Sequence, residues 1–260
     1  MTELAWRVLI DAPRDGAENM ARDEALASGL DDGHGVLRLY SWLRPTISFG
    51  RNEPARAWWQ DARGSDDIDL AMVRRPTGGR AVLHDAEVTY AAIVPQRALG
   101  GPRGAYVAIN HVLAAGLRAL GADVSVVAAS PDVAPLPPDA GPCFQSPVAG
   151  ELVARGRKLV GSAQARIGGA LLQHGSIILS GDQGALDQLD PTAAPVAPPA
   201  TLDELIGPVG FDAVVEAVTD AATEMLGGSW ERSTWSPAEA RTIARLRAER
   251  YDLEEWTFRR

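Results

Sequence analysis

The stretch GPCFQSPVAGELVARGRKLVGSAQ holds the only cysteine of the chain, Cys143, and its only lysine, Lys158. The rest of the 25 basic side chains are arginines, a bias broad enough to reflect codon composition, so the informative residue is the exception. A thiol acts as a nucleophile in its thiolate form, and with a pKa near ~8.5 only a small fraction is ionised at neutral pH. A neighbouring ammonium favours the thiolate. Guanidinium supplies charge too, but only the amine is a compact, mobile donor that readily gives up its proton. Taken alone, a lone cysteine is more often a buried inert thiol, and a lone lysine a solvated one.

Reactive side chains gather beside glycines in three places: RRPTGGRAVLHD (Arg74 to Asp85), GPCF (Gly141 to Phe144) and GRKLVGSAQ with LQHGSI (Gly156 to Ile177). Glycine lets backbone approach a ligand closely. These glycine patterns match neither the P-loop nor the dinucleotide fingerprint, and no nucleophile elbow is present. His84 and His174 are too isolated for a metal site, and none is expected.

The elements that must carry these residues read as α+β. ENMARDEALASG predicts a helix opened near Asn19 and stopped by Gly29. VLRLYSW and TISFG predict strands joined through Pro45, and AMVRRP a third. A glycine turn and two further β runs follow in TGGRAVLHDAEVTYAAIVP. AYVAINHVLAAGLRALG is helical and ends at Gly121; ADVSVVA reads as a strand and SPDVAPLPPDAGP as a loop. ELVARGRKLVGSAQARIGGALLQHGSIIL predicts two or three antiparallel strands. A proline-rich surface loop is expected near 191–200, and residues 201–260 read as mostly helical, with a capping box at Ser236 and Glu239. The expectation is one catalytic domain over 1–260: a mixed, largely antiparallel sheet with flanking helices.

Composition narrows the functional classes. A hydrophobic content of 46% with 23% charged residues is globular. A net charge of -9 argues against general nucleic-acid binding. One cysteine excludes an intrachain disulfide. With no signal-peptide pattern and no apolar run near the ~20 residues that span a bilayer, a cytoplasmic protein that contacts no membrane is expected.

In combination, RRPTGGRAVLHD, CF followed by Glu151-Leu152, GRKLVGSAQ and LQHGSI resemble the biotin/lipoate protein ligase superfamily, and within it the LipM-type octanoyltransferases. NMARDEAL, LRLYSWLRPTISFG and ERYDLEEWTFRR extend the resemblance over nearly the whole chain. It implies a lipoate/biotin protein ligase-like domain with an acyl tunnel. The implied reaction moves an octanoyl group from acyl carrier protein to a lysine of a lipoyl domain, such as glycine cleavage H protein, through a cysteine thioester. By the same resemblance Cys143 is the nucleophile, and Lys158 contacts the acyl carbonyl and helps activate the sulfur. Arg75, Gly78, Gly79, Arg80 and His84 fall on the loop lining the acyl pocket, and Gly161, Gln164 and His174 on the strands of its other wall. Read without the resemblance, His174 is structural and His84 equally a loop-bonding residue.

No cofactor is expected on this reading. ATP and magnesium enter only if the chain is instead a lipoate or octanoate ligase, which the GRN turn of FGRNEP resembles; Arg80, standing where ligases carry a third glycine, favours the transferase. A lipoyl amidotransferase and a non-catalytic carrier-binding or lipoyl-domain-binding module are also compatible with the motifs. The partner proteins are typically acidic, so docking on this acidic chain needs a local reversal of sign. Arg155 and Arg157, with Arg74, Arg75 and Arg80, are the candidates to supply it.

Overall fold

The computed structural model describes residues 3–54, 70–127, 150–181, 183, 186 and 198–259. Among these residues, eight strands form the larger sheet. In chain order they are β1 (Ala5–Ile10), β2 (His34–Tyr40), β6 (Glu87–Pro95), β7 (Ser125–Val126), β8 (Leu152–Ala154), β9 (Arg157–Ile167), β10 (Ala170–Ile178) and β11 (Ser229–Arg232). Their spatial order is β11-β1-β2-β6-β10-β9-β8-β7. Within this sheet the β11–β1 and β1–β2 pairs are parallel and the others antiparallel. A second sheet, β4-β3-β5, comprises β3 (Thr46–Phe49), β4 (Ala71–Arg74) and β5 (Val82–His84).

Both faces of the large sheet are covered, which is why the run EVTYAAIVP in β6 is almost continuously apolar. Helices α2 (Gly101–Ala119) and α4 (Phe211–Leu226) cover one face, where Val112, Leu113, Val214 and Val218 meet Tyr90, Val94 and Leu171. Helices α1 (Gly16–Ser28) and α5 (Pro237–Leu246) cover the other, packing Met20, Leu26, Ile243 and Leu246 against Tyr40, Ala91 and Leu172. The remaining described helices are short: α3 (Leu202–Ile206) before α4, and α6 (Glu254–Thr257) at the end. Between α5 and α6 lies a single π turn, Arg247–Tyr251.

Several expectations shift. Helix α1 starts at Gly16 because the Asp15 carboxylate caps it, accepting from Glu18 N at 2.7 Å. Asn19 sits inside that helix, fully buried. Two strands, β1 and the edge strand β11 beside it, are additions to what the sequence predicts. Three antiparallel strands, β8 to β10, occupy the stretch where two or three were expected. Of the strand expected in ADVSVVA, Ser125 and Val126 pair with β8. The SPDVAPLPPDAGP loop lies outside the described residues, as does the expected proline-rich loop up to residue 197. Its end is pinned to the fold: Ala200 is buried, and its N–H donates to Lys158 O at 2.9 Å. The capping box at Ser236 and Glu239 is present.

Candidate active site

Between the α1 face of the large sheet and the small sheet lies a narrow cavity of about 30 Å3. Its walls come from α1 (Met20), the end of β2 and just beyond (Tyr40, Trp42), the small sheet and its turn (Ser48, Arg75, Val82, His84), and the centres of β6, β9 and β10. Gly161 and Ala163 present one β9 edge; His174 and Ser176 face it from β10.

The turn after β4 is held by arginine. Arg75 is 4% exposed; it donates to Ser48 O at 2.8 Å, to Gly78 O at 2.8 Å and to Arg80 O at 2.7 Å. Gly79 adopts φ +90° beneath that guanidinium, a conformation L side chains resist. The adjoining GRN turn packs so closely that a Cβ on Gly50 would stand 1.8 Å from Gly79 O. Glu53 ties the two turns together, accepting from Gly50 N and Ala81 N, each at 2.9 Å. Burial pushes the Glu53 carboxyl above its ordinary range, against the pull of Arg75 and these two N–H groups. Arg74, wholly buried, clamps the chain end to the GRN turn by donating to Gly50 O, Glu53 O and Thr257 O. Arg74, Arg75 and Arg80 are thus buried and form no docking patch; the fixed N–H donors of Arg74 and Arg75 serve backbone carbonyls here.

Behind the cavity runs a charged network. Arg38, fully buried, donates to Asp11 at 2.8 Å, Asp23 at 2.7 Å and Asn19 Oδ1 at 2.8 Å. Its guanidinium also lies 3.8 Å from the centre of the Tyr40 ring. Tyr40 Oη donates to Asp23 at 2.9 Å, and burial together with that carboxylate drives the phenol pKa well up. Asp11 is pushed up by burial but held lower overall by Arg38, Trp235 and Arg22. His174 meets Asp23 at 2.8 Å and Thr77 at 2.6 Å. Burial lowers its pKa more than Asp23 raises it, which favours the neutral ring over an ion pair with Asp23. His84 stacks on Trp42, ring centres 4.0 Å apart, and bonds Glu87 at 2.8 Å and Ser48 at 2.7 Å.

Lys158 is 2% exposed, and its Nζ donates to Glu151 Oε1 at 2.6 Å. A two-residue turn, Arg155-Gly156, makes that contact by folding β8 onto β9. Both residues have positive φ, 51° and 74°, as a I′ hairpin requires. Lys158 is not among the residues lining the cavity, and Cys143 lies outside the described residues. Arg155 is exposed at the hairpin tip, while Arg157 is committed to Glu204 at 2.6 Å. Gln164 points to the other side of β9 from Ala163. It donates to Pro102 O at 3.1 Å and borders an open groove beside α2.

The structure therefore gathers Arg75, His84, Gly161 and His174 at one cavity, with Gly78, Gly79 and Arg80 behind Arg75, and separates Gln164 from them. Asp23, Arg38, Ser48, Glu53, Thr77, Glu87 and Glu151 complete the site without having been singled out as site residues from sequence. Two carried a readable signal: Asp23 lies four residues after Asn19 in the NMARDEAL helix, and Glu87 three after His84.

Residues 15–223 match the lipoyl protein ligase A/B catalytic domain family. The chain belongs to that family. Octanoyltransferase LipM of Kyrpidia tusciae is 38% identical, with 98% of this chain and 99% of that protein aligned. Octanoyltransferase LipM of Halalkalibacterium halodurans is 33% identical over the same shares. Among solved structures, a lipoate-protein ligase A bound with ATP superposes with a TM-score of 0.77 at 21% identity, covering 98% of this chain and 99% of that one. A bipartite lipoate protein ligase from Thermoplasma acidophilum, described with its E2 lipoyl domain, gives 0.73 at 20% identity, covering 99% and 97%. These two likenesses establish the α+β ligase fold.

Proposed function

We infer that this chain is an enzyme of lipoate biosynthesis, an octanoyltransferase. The whole-length identity to octanoyltransferases LipM carries the reading, since the fold alone serves an ATP-bound ligase equally well. The donor in this reading is octanoyl-acyl carrier protein, and the acceptor is a lysine of a lipoyl-domain protein such as glycine cleavage H protein. Cys143 thiolate attacks the thioester carbonyl, and the carrier thiol leaves with a proton. The neutral acceptor amine then attacks the enzyme thioester, losing a proton as the thiol is released and an amide forms. Neither step needs ATP. Lys158, an amine in a chain of arginines, supplies positive charge toward the developing oxyanion.

The acyl chain belongs in the cavity walled by Met20, Trp42, Val82 and Ala163.

Intact-protein mass spectrometry after mixing with octanoyl-acyl carrier protein, without ATP, tests the reading. An octanoyl adduct labile to hydroxylamine is expected on the wild type and absent from Cys143→Ser. Octanoyl-adenylate formed only with ATP and octanoate, with no adduct, would instead make the chain a ligase and Cys143 a packing residue.

A further inference from the structure

Two histidines at the cavity are wired alike. His84 Nδ1 faces Glu87 Oε1 at 2.8 Å and its Nε2 faces Ser48 Oγ at 2.7 Å. His174 Nδ1 faces Asp23 Oδ2 at 2.8 Å and its Nε2 faces Thr77 Oγ1 at 2.6 Å. An ionised carboxylate only accepts, so each ring carries a proton on Nδ1; a neutral ring then offers Nε2 as an acceptor and the hydroxyl donates. Ser176 Oγ reinforces the first chain, 2.9 Å from Glu87 Oε1 and 3.1 Å from His84 Nδ1.

Both chains end on the same piece of backbone. Ser48 Oγ accepts from Arg75 Nη1 at 3.0 Å, and Arg75 in turn holds Gly78 O and Arg80 O. Thr77 lies within that turn. The Glu87–His84–Ser48 chain has the connectivity of an acyl-transfer triad. However, Ser48 is wholly buried, gives its proton to His84 and accepts from Arg75, so it serves as a strut and not as a nucleophile.

We propose that His84 and His174 are positioning residues for octanoyl transfer, each ring protonated on Nδ1 and orienting a hydroxyl that braces the Arg75–Arg80 turn against the cavity. Apart from the His84–Glu87 spacing, sequence hides this wiring, because the two carboxylates come from α1 and β6 and the two hydroxyls from β3 and the turn. The kinetic consequence rests on reading the cavity as the acyl site; the wiring itself does not.

The chain has four histidines, so a long-range 1H–15N correlation spectrum of histidine-labelled wild-type protein resolves each ring. His84 and His174 are expected as Nδ1–H tautomers at neutral pH, the reverse of the form free histidine favours. A ring lacking the Nδ1 proton at either cavity position overturns the proposal. In octanoyl transfer, Thr77→Val and Ser48→Ala should each lower kcat roughly 10–100-fold, with KM for the acyl carrier changed less than about threefold. Thr77→Ser should restore the rate. Wild-type kcat in both folded variants also overturns the proposal. A wild type that transfers no octanoyl group signals failure of the functional reading instead, and the tautomers still decide the wiring.

Discussion

Replacing Lys158 by methionine removes an ammonium from a site 2% exposed and takes it from the Glu151 carboxylate, itself 2% exposed. Breaking a buried ion pair from one side costs about 3–5 kcal/mol, because the surviving charge loses its counter-ion in a medium that solvates it poorly. Replacing both partners by neutral groups of similar size is close to neutral. Lys158→Met should therefore lose about 3–5 kcal/mol in urea titrations at pH 7, and the double variant with Glu151→Gln should recover most of it. Octanoyl transfer separates structure from chemistry, since a stable double variant should remain inactive if the amine acts on the acyl carbonyl. A loss below about 1 kcal/mol for the single variant, with no recovery in the double, would refute the buried-pair reasoning. A stable double variant working at the wild-type rate would remove Lys158 from the chemistry.

Acid should weaken the fold in two stages. His174 has a folded pKa below the ordinary value near ~6.5, so its contribution is complete above that value and is lost as pH falls through it. Asp11, Glu18 and Glu239 have depressed values and are lost only below ~4.5; thermal midpoints that stay level from about pH 7 to about 5.5 contradict the first stage. Arg38→Leu leaves Asp11 and Asp23 without their shared cation and should cost about 3–5 kcal/mol, read as a lowered urea midpoint at unchanged slope. Gly79→Ala forces a side chain into φ +90° with its Cβ 2.7 Å from Arg75 Nη2. It should cost more than ~1 kcal/mol and lower transfer activity, and a variant as stable as wild type would show that the turn can relax.

Much of the scaffold was legible because it is periodic. The glycine breaks between runs of β propensity in β8, β9 and β10, the amphipathic run of α4 and the Ser236–Glu239 box all carry local signals. The pair β1 and β11 did not, since Ser229–Arg232 is short and half polar and becomes a strand only where β1 offers it a ladder. The glycine turn was legible as a ligand-facing loop, but the role of its arginines was not. An arginine in RRPTGGR reads as a surface charge until the carbonyls of Ser48, Gly78 and Arg80 are seen converging on it. Glu151 appeared in sequence as part of a motif. Its use emerged once the Arg155-Gly156 turn brought it back to Lys158, seven residues on.

The division of labour between the two cations follows from their shapes. Arg38, Arg74 and Arg75 each sit where several acceptors converge: carboxylates and Asn19 for Arg38, backbone carbonyls for Arg74 and Arg75. A rigid fork with five donors satisfies such a cluster, and little freedom is lost per bond because the fork is preorganised. Lys158 meets the Glu151 carboxylate at 2.6 Å inside a closely packed hairpin. A buried cation used only to close that hairpin could be dispensed with, since an apolar pair of equal volume serves at least as well. Retaining an ammonium there, in a chain that writes every other positive charge as arginine, fits the role proposed for it above, and the Lys158→Met, Glu151→Gln pair tests whether stability alone accounts for it.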